Sequence, residues 1–143
     1  MPYRYLEGLT MADIAFEATG KTQEEMFISA ADAMMSTQIQ DIKALKSKEE
    51  KKIALKAGDI ERLLHDFLQE LIFLKDAEQL LFRDYRIEIK KVHDGIALEA
   101  VCKGEKLDPK RHNLLVDVKA VSWHKFKVEK TEDGWKAVVI IDV

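Results

Sequence analysis

Apolar residues at Ile14, Phe16 and Ala18 alternate with other types, a period of two that predicts a strand over about 12–18, closed by Gly20. Thr22, followed three residues later by Glu25, reads as a capping box in which each side chain satisfies a free amide at a helix start. The helix it opens, over about 23–36, places Phe27, Ala30, Ala31 and Met34 on one face, so that face packs on something. Lys43 to Lys52 is dense in charge and predicts a solvated connector, after which Ile53, Leu55 and Ala57 alternate as a short strand before Gly58. Asp59 suits the N-cap of the clearest helix in the chain, where Ile60, Leu63, Leu64, Phe67, Leu68, Leu71 and Ile72 recur at steps of three and four. Beyond it Tyr85, Ile87 and Ile89 alternate with Arg86, Glu88 and Lys90. Asp94-Gly95 then turns the chain into Ile96, Leu98, Ala100 and Cys102, a hairpin. Asp108-Pro109 marks a loop, because the residue before proline is pushed out of the helical region. A long strand is expected over about 114–129, then a turn at Glu132-Asp133-Gly134 and a last strand from Trp135 onward. These elements predict an α+β domain, two helices packed on one face of a mostly antiparallel mixed β-sheet.

Composition narrows the picture. The 143 residues point to a single domain over 1–143, and 47% apolar with 34% charged residues is the balance of a globular protein with a real core. The net charge of −3, from 23 basic and 26 acidic residues, argues against wholesale wrapping of nucleic acid but leaves room for a local basic patch. One cysteine, Cys102, excludes an internal disulfide and a Cys-rich zinc site, and fits a reducing cytoplasm. The opening MPYRYLEG lacks the apolar stretch of a secretion signal. The longest strongly apolar run, Ala137 to Ile141, is far too short to cross a bilayer, so a cytoplasmic protein with no membrane partner is expected.

The residues that could carry chemistry are few. His65, His93, His112 and His124 stand at no metal-site spacing, and no GxSxG, Walker loop or dinucleotide fingerprint occurs. Cys102, Met34 and Met35 read as core residues, His65 as a solvated side chain on the polar flank of the long helix, and Trp123 and Trp135 as sheet residues. Stacking of a tryptophan on RNA bases has no RNA-binding motif behind it. Two carboxylates stand apart. Asp13 begins the first predicted strand inside an apolar run, and Asp142 follows AVVII in the last one, where an unpartnered acid would be expensive to bury. Asp142 also adjoins Val143 and its carboxylate. If the first and last strands were neighbours, these acids would gather and repel unless a cation compensated, and oxygen-only ligands suit Ca²⁺ or Mg²⁺ rather than Zn²⁺. The same residues also allow a plainer arrangement, with Asp13 in a turn and Asp142 in solvent at a frayed end. A second cluster, Asp108, Arg111, His112, Asp117 and Lys119, surrounds a predicted loop entering a strand; its simplest reading is a charged, solvent-facing surface.

Over nearly its whole length the sequence resembles the archease family. Met11-Ala12-Asp13-Ile14-Ala15-Phe16 is similar to the family's opening His-Thr-Ala-Asp motif, and Gln23 to Phe27 with Ala30, Ala31 and Met34 to the helix that follows. Asp59 through Leu74 is similar to the second helix, and Phe82-Arg83-Asp84 to the segment after it. Gly104-Glu105-Lys106-Leu107-Asp108 with His112 resembles a GExLD…H segment, and Val118 to His124 resembles Val-Lys-Ala-(Val/Ile)-Thr-Tyr-His. The penultimate Asp142 matches the family's Asp ending. The resemblance implies a non-enzymatic activator of the RtcB-type RNA ligase, which joins tRNA exon halves with GTP and divalent metal. It implies that Asp13 and Asp142 are metal-binding carboxylates, with Val143 supplying a further oxygen, and that Lys119 is needed for activation. Ca²⁺ is the expected ion and Mg²⁺ the alternative. Thr10 stands where the family has its motif His, Met11 where it has Thr, and Trp123 where it has Tyr. Two other functional classes fit the residues: a divalent-metal hydrolase using the same carboxylates, and a structural protein-interaction module. Direct nucleic-acid binding is not expected from the overall charge.

Overall fold

The computed structural model describes residues 2–6 and 13–143. In chain order the elements are β1 (Tyr3–Leu6), β2 (Asp13–Gly20), α1 (Gln23–Gln38), a short 3₁₀ turn (Ile42–Ala44), β3 (Glu49–Ala57), α2 (Ile60–Glu78), β4 (Leu80–Val92), β5 (Gly95–Lys106), β6 (Ala120–Thr131) and β7 (Gly134–Asp142). Both helices start where their caps dictate. The Thr22 hydroxyl accepts from the Glu25 amide at 3.1 Å while the Glu25 carboxylate accepts from the Thr22 amide at 3.3 Å. Asp59 accepts from the Arg62 amide at 2.8 Å. α2 ends at Gln79, whose left-handed backbone (φ 58°) turns the chain into β4.

The α+β class holds, with two helices and antiparallel strands, but the strands divide between two sheets. One has the order β1-β2-β7-β6 and the other β3-β5-β4, and each helix packs against both. The helices also finish the sheets' free edges. Glu61, His65 and Gln69 lie at successive four-residue steps of α2 and reach β6: Glu61 accepts from the Val128 amide, His65 Nε2 donates to the Val121 carbonyl, and Gln69 accepts from the Val121 amide. On α1, Glu24 accepts from the Ile89 amide on the outer edge of β4. An unpaired edge needs such partners, and here a helix supplies them instead of another strand.

This placement accounts for the composition of α1. Lying between two sheets, it buries Met26, Phe27, Ala30, Ala31, Ala33, Met34 and Met35, more than the single face its pattern predicts. Phe16, Phe67, Phe82 and Cys102 complete the centre of the core with no exposed surface.

Three boundaries differ from the sequence pattern. β1, only four residues long and too short for a pattern to establish, has no counterpart among the expected elements; it is an edge strand registered on β2 from Tyr3↔Ala18 to Leu6↔Ala15. β3 begins at Glu49, so the last four residues of the charged connector, Glu49 to Lys52, are strand; β3 is an edge, where charged side chains can face solvent. The strand expected over 114–129 begins only at Ala120. Residues before it bond to the end of α1, with the Leu115 amide on the Gln38 carbonyl at 2.9 Å and the Val116 amide on Thr37 at 3.2 Å. Their apolar side chains therefore do not reach the core: Leu114, Leu115 and Val116 are exposed. Among the described residues no helix is long and apolar enough to cross a membrane.

A carboxylate pair as candidate metal site

β2 and β7 pair without interruption from Gly20↔Trp135 to Asp13↔Asp142, so the register that seats Phe16 against Val139 also sets the two aspartates directly opposite each other. Opposed residues of an antiparallel pair have Cα atoms about 4.5–5.5 Å apart. The period of two places both acids on the face away from Phe16, Ala18, Val139 and Ile141, which point into the core. Neither plainer arrangement occurs: Asp13 is the first residue of β2, and Asp142 is held between two strands.

β6 closes the other side of Asp142. Ala120 is its partner, and the Lys119 amide donates to the Asp142 carbonyl at 2.8 Å. The carboxyl of Asp142 is pushed up from its ordinary value, first by burial and then by the hydrogen bond and charge of Asp13; the Lys119 ammonium acts the other way. Of the four residues named by the family resemblance, Asp13, Asp142 and Lys119 thus meet in one place, with half-buried Val143 adjoining.

The segment carrying Lys119 is firmly anchored. Lys75, only 6% exposed, donates to the Val118 carbonyl at 2.6 Å and pairs with Asp117 and, at 3.2 Å, with Asp76. Two residues past Lys119, His65 and Gln69 hold both backbone groups of Val121.

Among the described residues no group of three His, Cys, Asp or Glu side chains is arranged to hold a metal ion. Asp13 and Asp142 supply an all-oxygen pair, the main-chain oxygens of Val143 are next in sequence, and their like charges are compensated only by Lys119 among the groups that shift Asp142. Such a set fits a hard divalent cation that keeps part of its water shell. Thr10 and Met11, where the sequence departs from the family motif, lie outside the described residues.

Two sequence readings need correction. His65 is not solvated: it is buried, donates to Val121 at 2.9 Å, and stacks on Trp123, because α2 lies along the β6 edge. The Asp108–His112 cluster is not simply a charged surface. Buried Glu105 accepts from His112 Nε2 at 3.1 Å and the Lys46 amide at 2.9 Å and pairs with Arg111, while His112 Nδ1 accepts from the Asp108 amide at 2.9 Å. Arg111 above all holds the Glu105 carboxyl well below its usual range. This network braces the 105–112 loop. Sequence reasoning missed Lys75, Gln69 and Glu105 as organisers; only the GExLD…H segment hinted at the last.

The fold has known counterparts. The archease protein family model matches residues 3–143. The archease of Methanosarcina barkeri is 39% identical over 99% of this chain and 95% of its own, and that of Methanopyrus kandleri is 35% identical over the full length of both. The solution structure of protein 1598 of Methanobacterium thermoautotrophicum superposes with a TM-score of 0.86 at 31% identity, covering 99% of each chain. A crystal structure from Thermotoga maritima, described as an archease and possible chaperone, shares the fold with a TM-score of 0.62 at 21% identity, covering 96% of this chain and 97% of its own. The chain belongs to the archease family.

Proposed function

We propose that this protein is a non-enzymatic, metal-dependent activator of an RtcB-type RNA ligase in the cytoplasm, promoting ligase guanylylation and repeated turnover in tRNA splicing. The observation that carries the reading is the direct register of Asp13 on Asp142 with Lys119 bonded beside them. The chaperone description of the Thermotoga maritima protein points the same way, toward action on another protein.

Asp13, Asp142 and the main-chain oxygens of Val143 would hold the ion, with Ca²⁺ favoured and Mg²⁺ the alternative. When bound, the ion offsets the paired negative charge and presents a hard positive centre to oxygen ligands of the partner. Lys119 adds a cation whose backbone is fixed to Asp142, so little side-chain freedom beyond its stem is lost on docking. Exposed Leu114, Leu115 and Val116 lead into Lys119 and supply apolar contact area beside the charged tip. Guanylyl transfer is governed by positioning and charge stabilisation, which a helper can improve without reacting itself. A helper that acts repeatedly must also leave, consistent with a contact surface of modest size.

Multiple-turnover ligation by the partner enzyme is the test. Asp13→Ala, Asp142→Ala and Lys119→Ala, each folded by circular dichroism, are expected to lose stimulation. Full stimulation by both aspartate variants would defeat the acidic-site mechanism, and release of phosphate from GTP by the isolated protein would favour a hydrolase.

A further inference from the structure

β6 does not run straight along β7. Its register slips between Ser122, which faces Ile140, and Lys127, which faces Val138, so the four residues Trp123 to Phe126 stand against Val139 alone. Within the bulge Lys125 adopts φ 54°, a left-handed conformation costly for a residue with a Cβ and common where a chain segment is shaped for use. The bulge assembles an aromatic platform. The Trp123 ring stacks on His65 with centroids 3.7 Å and planes 6° apart, and Phe126 meets the two rings edge-on at 5.4 and 5.3 Å. His65 is fixed beneath by its bond to the Val121 carbonyl, yet Trp123 remains 51% exposed.

Cations frame this surface. Arg62, one helical turn before His65, holds its guanidinium carbon 6.0 Å from the Trp123 ring centre, and His124 and Lys125 are exposed on the bulge. Among the described residues Arg62 and Lys125 enter no ion pair, whereas Lys127 is tied to Glu129 at 3.3 Å. The nearby acids are largely engaged: Glu61 accepts from the Val128 amide and Glu129 is also held by Lys136, leaving Asp66. A preordered aromatic face beside unpaired cations is the chemistry of single-stranded nucleic acid, whose bases stack and whose phosphates need positive partners.

We propose that this platform binds an unstacked base of a single-stranded nucleic acid, the base stacking on the exposed part of Trp123 and the adjoining phosphates lying on Arg62 and Lys125. It is the local patch that the overall negative charge leaves room for. The site is independent of the metal reading, although Trp123 lies only three residues, about 10 Å, along β6 from Ala120, the partner of Asp142.

The test uses the full chain and an octa-adenylate carrying one 2-aminopurine. Saturable quenching of the probe is expected, weakened roughly 5- to 100-fold in Trp123→Ala and largely retained in Trp123→Phe. With two phosphate contacts, log K should fall against log salt with a slope of about −1.4, and Arg62→Ala should reduce that slope by about 0.7. No saturable quenching, or equal binding by Trp123→Ala, overturns the proposal. So does an unquenched probe combined with lost ligase stimulation in Trp123→Ala, which would assign the platform to a protein partner. Because Trp123 is half exposed, its variants should fold, and Arg62→Ala tests the same site from another element.

Discussion

Asp32 lies on α1, with Oδ1 buried and lacking a hydrogen-bond partner among the described residues. Burial, and secondarily the charge of Asp84, pushes its carboxyl up to about 6. In the unfolded chain the group releases its proton near pH 4, so between about 4 and 6 the folded state binds the extra proton and stability falls as pH rises. The charged form costs most above pH 6. Asp32→Asn should therefore stabilise the protein by about 1 kcal/mol at pH 7, allowing for partial solvent access, and by nothing at pH 3.5. Urea unfolding at the two pH values measures the difference. Glu105 has the opposite sign. Its folded carboxyl is depressed, chiefly by Arg111, so its contribution is present above the ordinary carboxylate range and fades as pH falls below it. Glu105→Gln should cost about 1–3 kcal/mol at pH 7 and flatten the loss of stability on acidification. At this scale the sequence was readable for residues whose surroundings are local, such as the Thr22–Glu25 box. Asp32 and Glu105 owe their properties to β4 and to the 105–112 loop folding back, and no spacing announces that.

Among elements, α2 shows what a hydrophobic stripe does and does not reveal. Its Leu63-Leu64-Phe67-Leu68-Leu71 stripe was legible because every third or fourth position is apolar and buried. The polar row Glu61, His65 and Gln69 looks like a solvent face by the same rule, yet it finishes the edge of β6. Lys75 continues this service by tying down Val118, next to Lys119. Lys75→Met keeps the stem and removes the donor, leaving the Val118 carbonyl without its partner. The expected cost is about 1–3 kcal/mol, with faster hydrogen exchange at the Lys119 amide than at amides in the centre of β7. Unchanged exchange at Lys119 would mean that the β6–β7 pairing alone holds this segment. The late start of β6 has the same origin: apolar Leu114, Leu115 and Val116 read as strand, but the end of α1 takes their backbone bonds.

For the molecule as a whole, the strands themselves were legible and their order was not. Alternation identifies a strand from its own residues, whereas the pairing of β2 with β7 joins opposite ends of the chain, and the division into two sheets depends on helices filling the space between. The isolated acids at both ends were the one local sign of that meeting, since each is out of place in an apolar strand unless something joins it. Their juxtaposition would also make the proposed cation binding a property of the folded state, because the unfolded chain holds Asp13 and Asp142 far apart. A ligand bound only by the folded form stabilises it by RT ln(1 + [L]/Kd), about 2.7 kcal/mol at a hundredfold excess over Kd. For a chain of this length that is an increase of about 8 °C in melting temperature. Calcium added to chelator-treated protein should therefore raise the melting temperature with ligand concentration, and Asp142→Asn should abolish the rise while melting no lower than the metal-free parent, since it also removes the repulsion with Asp13. The same scan with magnesium separates the two ions. An equal rise in parent and variant would place the cation elsewhere and detach the joined chain ends from any metal chemistry.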